Sequence, residues 1–260
     1  MAAKKPDPST GYLQSFARGL ELIRAFGADT PTLTVSEAAA RTGLTRAGAR
    51  RILITLLELG YAEQEGRDFR LRPRILDLGF SYLSSLSAAR IAQPIMEDLV
   101  ARVSEPCNLA VLDGTDVIYV ARAAAKPFVR EDLRIHIGRR FPAYTTALGR
   151  VLLGGLPEPD LDACLKSTEL IALTPRTLTR PTELKAAVAR DRKFGFSYVN
   201  QESGERCTLA VPIFDRLRIV AGLGIGWFAG IRNDDETKDR LLPELLQAAR
   251  DISAALQKTY

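Results

Sequence analysis

Residues 1–11 are polar, rich in Lys and Pro, and without an apolar period, so they read as a flexible leader. A helical rhythm then begins. Phe16, Leu20, Ile23 and Phe26 share one face at 3.6-residue spacing and predict a helix over about 14–27, ended by Gly27 and the Ala-Asp-Thr-Pro-Thr that follows. Thr34-Val35-Ser36-Glu37 has the form of a capping box and opens a short helix from Ser36 to about Arg41. Thr42-Gly43 makes a tight turn. Thr45 caps a third helix that reaches about Leu59, with Ile52, Leu53, Leu56 and Leu57 as its apolar stripe and Gly60 as its stop. Tyr61–Gln64 and Phe69–Arg72 then flank Glu65-Gly66-Arg67-Asp68, which predicts a small hairpin with Gly66 in the turn and Pro73 ending it. Residues 74–90 are amphipathic at helical spacing and read as a connector helix.

Beyond residue 91 the pattern mixes the two periods. A helix over about 93–104 precedes a hairpin, Asn108–Leu112 and Val117–Arg122, turned by Asp113-Gly114-Thr115-Asp116. A strand follows at 131–137. Pro142-Ala143-Tyr144-Thr145-Thr146 leads into a helix at 147–156, and further helices lie near 158–166 and 182–194. Strands return at 196–200, 207–214 and 218–228, before a last helix over about 236–257. The fold class is α+β: a winged helix-turn-helix at 12–73, a connector helix at 74–90 and an α/β domain at 91–260.

Composition agrees with two modest folded domains in 260 residues, 46% hydrophobic and 26% charged. The net charge is +5 and is unevenly placed. Residues 1–90 carry 13 Lys/Arg against 9 Asp/Glu, while the rest carries 23 against 22, so the excess sits where a polyanion would be met. Cys107, Cys164 and Cys207 are odd in number and far apart, without CxxC spacing. That argues against a zinc site or a disulfide framework and fits reduced thiols in a cytosol. His136 is the single histidine, which excludes His-rich metal sites and most histidine-based catalysis, and no cofactor is expected. The start lacks an apolar core and no run of roughly 18 apolar residues occurs, so neither secretion nor a membrane span is expected, and the location is cytoplasmic.

The third helix carries the sharpest chemistry. It opens Thr45-Arg46-Ala47-Gly48-Ala49-Arg50-Arg51, with Arg46 and Arg50 four apart on one face, Arg51 beside them and small residues between. Apolar residues begin only at Ile52, which leaves the polar end free to present donors to base edges in a major groove. Thr45 can bond a phosphate or a base. Arg67, Arg70 and Arg72 in the hairpin and Arg18 on the first helix are candidates for phosphates. Any one arginine reads equally well as a solvated face, but the ordered set points to double-stranded DNA.

These residues resemble a known family. LQSFARGLELIRAF and LTVSEAAARTGLTRAGARRILITLLELGYAEQEGRDFRLRPRILDLGFSYLSSL, followed by LDGTDVIYVAR, RRFPAYTTALGRVLL, LTPRTLTRPTEL and LAVPIFD in order, are similar to the IclR-type transcription regulators. They are most similar to the PcaR/PcaU/PobR-like branch, which controls aromatic-acid catabolism through the β-ketoadipate pathway. The resemblance covers nearly all of residues 12–257. It implies a GAF/PAS-like effector domain, a small organic acid as effector, and homodimers or homotetramers on palindromic operators. It also implies an effector cup against Tyr144, Thr145, Thr146, Ala147 and Leu148, where free N–H groups at a helix start favour a carboxylate. A second wall is implied at Glu202 and Arg206-Cys207-Thr208, although Glu202–Glu205 is one residue shorter than is usual in the family. A third is implied at Gly224 and Gly226.

Gly222, Gly224 and Gly226 alternate along a strand and so bare one face of it. Either an aromatic ligand ring fills that space or a neighbouring helix packs into it. Arg122, Arg134 and Arg206 are candidate carboxylate anchors. His136 reads as a pocket donor or a satisfied strand residue, Cys107 and Cys207 as buried small hydrophobes, and Trp227 and Phe228 as packing or interface residues. Two rival functions are an enzyme with Cys107 or Cys207 as nucleophile, which lacks a base other than His136, and a ligand-free architectural DNA binder, for which the long second domain is excessive.

Overall fold

The computed structural model describes residues 11–124, 135–202 and 204–258, and the chain divides into two compact units after Leu83. In the first unit, α1 (Gln14–Arg24), α2 (Val35–Thr42) and α3 (Arg46–Glu58) precede a hairpin of β2 (Ala62–Glu65) and β3 (Asp68–Leu71). The capping box forms as the sequence predicts: Thr34 accepts the Glu37 N–H, and Glu37 accepts the Thr34 N–H at 2.8 Å. Gly43 closes α2 at φ +66°, a backbone region that an L side chain rarely adopts, and so sets the turn into α3. The sequence misses one strand. Thr32–Thr34, β1, pairs antiparallel with β3 and gives the sheet order β1-β3-β2. Leu22, Leu33, Ala38, Ala49, Leu53, Leu56 and Phe69 make the core of this unit.

The stripe expected to anchor the first helix behaves differently. Phe16 is 65% exposed and Leu20 is exposed too, whereas Leu22 is fully buried. Ile23 and Phe26 of the same stripe do pack, half-buried, against that core, so only the Phe16 and Leu20 end of the expected face is left uncovered. The expected connector at 74–90 is also not one helix. A single 3-10 turn at Pro73–Ile75 leads into α4 (Leu76–Ser85), and α5 (Ser87–Val103) starts afresh after Leu86, whose φ −86° and ψ 89° are not helical. Residues 1–10 of the expected leader lie outside the described residues.

The second unit is built on one six-stranded antiparallel sheet, in the order β6-β5-β4-β9-β8-β7. Its strands are β4 (Cys107–Asp113), β5 (Asp116–Ala123), β6 (Arg140–Pro142), β7 (Ser197–Asn200), β8 (Arg206–Asp215) and β9 (Arg218–Phe228). Gly114, at φ +63°, makes the tight β4–β5 turn that the Asp-Gly pair predicts. Helices α5 and α9 (Asp234–Gln257) pack together and against the sheet, while α6 (Ala147–Gly154) lies on β8 and β9 and contacts α8 (Pro181–Phe194). A short helix α7 (Glu158–Ser167) links α6 to the long loop before α8.

The expected strand at 131–137 falls mostly outside the described residues, and 135–137 are not strand. His136 is exposed, its ring Nδ1 contacts the neighbouring Ile137 carbonyl at 2.9 Å, and it neither lies in a strand nor lines the cavity. The question raised by the glycines resolves in favour of packing at two of the three. A Cβ on Gly222 would lie 3.1 Å from Leu148 Cδ2, and one on Gly224 would lie 3.0 Å from Leu148 Cγ, so α6 settles directly on bare backbone.

Candidate DNA interface and effector pocket

Helix α3 begins with a side-chain cap, since Thr45 Oγ1 accepts the Gly48 N–H at 3.1 Å. Ala49, Leu53 and Leu56 hold the helix to the core, and Thr45, Arg46, Ala47, Arg50 and Arg51 remain exposed. Two turns of cationic helix thus face solvent, and the small residues Ala47 and Gly48 leave room for a close approach. The guanidinium groups of Arg18, Arg50, Arg51 and Arg67 make no hydrogen bond or ion pair among the described residues, which leaves their donors available. Arg46 instead donates to Ser36 Oγ on α2. In the hairpin, Arg70 is held by Glu63, its cross-strand neighbour, with Glu65 further off, and Arg72 lies 3.8 Å from the same Glu63. Those two wing arginines carry partial neutralisation that the sequence reading did not assign. Arg74, not singled out in the sequence, donates from Nη1 to the Leu59 carbonyl at 3.1 Å and lies over the Tyr61 ring at 5.4 Å, tying the end of α3 to the turn that starts α4.

In the second unit a cavity of about 370 Å³ opens at the start of α6. This lies within the roughly 300–1,000 Å³ typical of small-molecule sites. Thr146, Ala147, Leu148, Thr208, Gly224 and Gly226 line it, as the sequence reading expects. Thr146 caps α6 by accepting the Gly149 N–H at 2.9 Å. The first N–H groups of a helix have no intrahelical acceptor, so those of Ala147 and Leu148 offer partial positive charge at the cavity wall. Arg139 and Arg206 add full charges, against Glu205. Arg206 is steadied by a bond from Nη2 to the Gly226 carbonyl at 2.9 Å and by the Phe228 ring at 4.6 Å. Thr208 Oγ1 is buried and has no hydrogen-bond partner among the described residues.

The rest of the cavity wall was not read from the sequence. Tyr119 and Phe141 pack at 5.3 Å between centroids, joined by Ile135 and Leu173. Burial raises the Tyr119 hydroxyl to about 12, which keeps it neutral. Asn108, buried in the wall, accepts from Arg122 Nη1 at 3.4 Å. A polar residue inside the apolar run Cys107–Leu112 was the available signal. Arg122 itself does not line the cavity, and Arg134 lies outside the described residues.

Four expected pocket residues sit elsewhere. Thr145 is fully buried and donates its hydroxyl to the Pro142 carbonyl at 2.9 Å. Tyr144 uses its hydroxyl to bond the Ile171 carbonyl at 2.8 Å and the Ile171 N–H at 2.9 Å. Cys207 alternates with Thr208 along β8, is fully buried, and accepts from the Tyr198 hydroxyl at 3.5 Å. Glu202 is paired with Arg150. Trp227 is buried, donating from Nε1 to Asp234 at 3.0 Å and stacking on Tyr198.

Comparison with known families decides what this arrangement is. Residues 15–66 match the IclR helix-turn-helix domain and residues 80–254 match the bacterial transcriptional regulator IclR C-terminal domain. The chain belongs to the IclR family of bacterial transcriptional regulators. It is 38% identical over 257 residues to the Pca regulon regulatory protein of Pseudomonas putida, covering 96% of this chain and 87% of that one. A transcriptional regulator from Rhodococcus sp. RHA1 is 42% identical with a TM-score of 0.85, over 96% of this chain and 100% of that one. An IclR homolog from Microbacterium hydrocarbonoxydans, solved with 4-hydroxybenzoate, shares the fold at a TM-score of 0.81 and 23% identity, over 94% and 99% of the two chains.

As an IclR-family member the protein is a DNA-binding regulator with a ligand-binding domain and not an enzyme. The thiol chemistry concurs. Burial pushes the Cys107 thiol far up and the Cys207 thiol to about 11, so neither is a thiolate near neutrality. Among the described residues no helix is long and apolar enough to cross a membrane.

Proposed function

We propose that this protein is an oligomeric regulator of aromatic-acid catabolic genes of the protocatechuate and p-hydroxybenzoate type, responding to a hydroxybenzoate held in the cavity at the start of α6. The observation that carries the reading is the buried, unpartnered Thr208 hydroxyl in the same cavity as the α6 N-terminus. A carboxylate suits the helix N–H groups and the arginines, a ring suits Tyr119, Phe141 and Leu173, and a second polar atom satisfies Thr208. The P. putida relative, named for a Pca regulon, and the 4-hydroxybenzoate held by the Microbacterium protein support it.

A thermal melt with 4-hydroxybenzoate, protocatechuate, benzoate and adipate tests this. A hydroxybenzoate at a hundred times its Kd stabilises by about 2.7 kcal/mol, which raises Tm by roughly 5–10 °C for a domain of this size. Stabilisation by adipate alone, or by none of the acids, overturns the aromatic reading.

The oligomer rests on apolar surface. Leu13, Phe16 and Leu20 form an exposed stripe on α1. Helix α4 buries none of its residues, and Leu76, Leu78, Phe80 and Tyr82 are exposed, Phe80 at 67%. A helix that is apolar nearly all round needs cover, and a second copy of this chain supplies it while pairing two recognition helices on a palindromic site. Wild-type protein is expected to run as a dimer or tetramer in sedimentation velocity, and a Phe16→Asp/Phe80→Asp double variant as a monomer. A monomeric wild type rules the assembly out. Effector binding then changes operator affinity only through different affinity for two arrangements of that assembly.

A further inference from the structure

Among the described residues Arg150 is the largest fully buried side chain, 2% exposed on α6, and it does not line the cavity. Its Nη2 meets the carboxylate of Glu202, and its Nε has no hydrogen-bond partner among the described residues. The backbone carbonyl of Glu202 accepts the hydroxyl of Thr177. Thr177 Oγ1 accepts the N–H groups of Leu173 at 3.1 Å and Thr174 at 2.9 Å, while the Thr174 hydroxyl donates to the Gln201 carbonyl at 2.6 Å. Gln201 sits at φ +59° and donates its N–H to the Arg206 carbonyl at 2.9 Å. Two loop segments are thereby hung from one buried cation. One brings Leu173 to the cavity, the other brings Gly204, Glu205 and Arg206.

We infer that the Arg150–Glu202 pair is a positioning device for the effector site: it fixes Gln201 and Glu202, and through them the 173–177 and 204–206 segments, beside α6, and so sets where Arg206 and Leu173 stand relative to the helix N-terminus that faces the same cavity. This rests on the cavity's being the acid site. Two features separate a positioning role from simple stabilisation. A buried ion pair adds little net stability over apolar groups of similar size, because desolvation offsets the attraction. The bonds beside it, from the Thr174 and Thr177 hydroxyls to the Gln201 and Glu202 carbonyls, join the two cavity-bearing segments to each other, and Gln201 there takes a conformation an L residue seldom adopts.

The test removes the charges together, so that neither is left buried alone. An Arg150→Met/Glu202→Gln double variant keeps the length of the 202 side chain and introduces no unpaired charge. Its melting temperature without ligand is expected to stay close to wild type. Its amide hydrogen exchange is expected to accelerate in 173–178 and 200–206 and not in β4, β9 or α9. Its Kd for 4-hydroxybenzoate is expected to rise about tenfold. Should the double variant fail to fold, Thr177→Val removes the hydroxyl at the centre of the network and is expected to give the same localised exchange and weakened binding. Unchanged exchange in both segments, or exchange that speeds up evenly across the domain, overturns the proposal. So does wild-type affinity for 4-hydroxybenzoate in a variant whose segments have loosened. If wild type binds no aromatic acid while the localised exchange appears, the acid-sensing reading fails and the tie between α6 and the two segments stands.

Discussion

An Arg50→Ala variant is expected to lose about 1–3 kcal/mol of operator affinity, roughly tenfold to a hundredfold, and to lose discrimination between operator and unrelated duplex. Arg50 is exposed on α3, beside the face that Ala49, Leu53 and Leu56 bury, with no partner among the described residues to hold its guanidinium back. It is one turn beyond Arg46, which is engaged by Ser36. Arg50 therefore enters a groove with its donors free, whereas Arg46 first gives up an existing bond. Arg67 at the hairpin tip sets the comparison. A wing contact to phosphate carries no sequence information, so Arg67→Ala is expected to weaken operator and unrelated DNA alike and to lower the salt slope by about 1. Fluorescence anisotropy on the two duplexes at two salt concentrations separates the cases. Equal losses on both duplexes for Arg50→Ala make it a phosphate contact, and no loss on either removes α3 from the interface.

The first unit was legible because its signals are local. A capping box, a helix cap and a glycine at positive φ are each written within four residues, and Thr34, Thr45 and Gly43 all do in three dimensions what the chain predicts. What stayed hidden depends on partners far away in sequence. The three-residue strands β1 and β6 exist only because β3 and β5 offer them an edge, and so short a run has no period to detect. On α1 the periodicity located a real apolar face, but periodicity does not say what covers it, and Phe16 and Leu20 turn outward while Leu22 carries the core.

The cavity shows the same division. The α6 start was readable from Thr146 and the residues after it, alternation put Gly224 and Gly226 on one face of β9, and Thr208, implied by the family resemblance, lines the same cavity. Alternation also separates Cys207 from Thr208, so the two cannot both face the cavity through their side chains. Glu202 was misjudged because its partner, Arg150, lies 52 residues away in the chain. A carboxylate beside a binding segment looks like a ligand contact until the buried cation that claims it is seen.

Gly149→Ala is expected to be the most damaging small substitution in the second unit. A Cβ there would stand 2.0 Å from the Ala143 carbonyl oxygen and 2.4 Å from Ala143 Cα. The obstacle is backbone, so no rotamer change relieves it. Either α6 or the 3-10 turn Ala143–Thr145 has to move, and the whole of α6 is buried. Overpacking usually costs about 1–3 kcal/mol, and a clash between two backbones belongs at or above the upper end of that range. The displaced groups are the ones the proposed effector site is made from. Gly149 gives its N–H to the Thr146 cap, and Thr146, Ala147 and Leu148 are cavity wall. The variant is therefore expected to lower the melting temperature of this unit and to abolish stabilisation by 4-hydroxybenzoate. The α3 core of the other unit does not depend on Gly149, so binding to a DNA duplex should survive at temperatures where the variant is still folded. A melt with and without the acid, beside an anisotropy titration, distinguishes the two. A variant that melts like wild type and still responds to the acid means that α6 and the Ala143 turn can part without cost, and that the start of α6 is not the rigid wall the cavity needs.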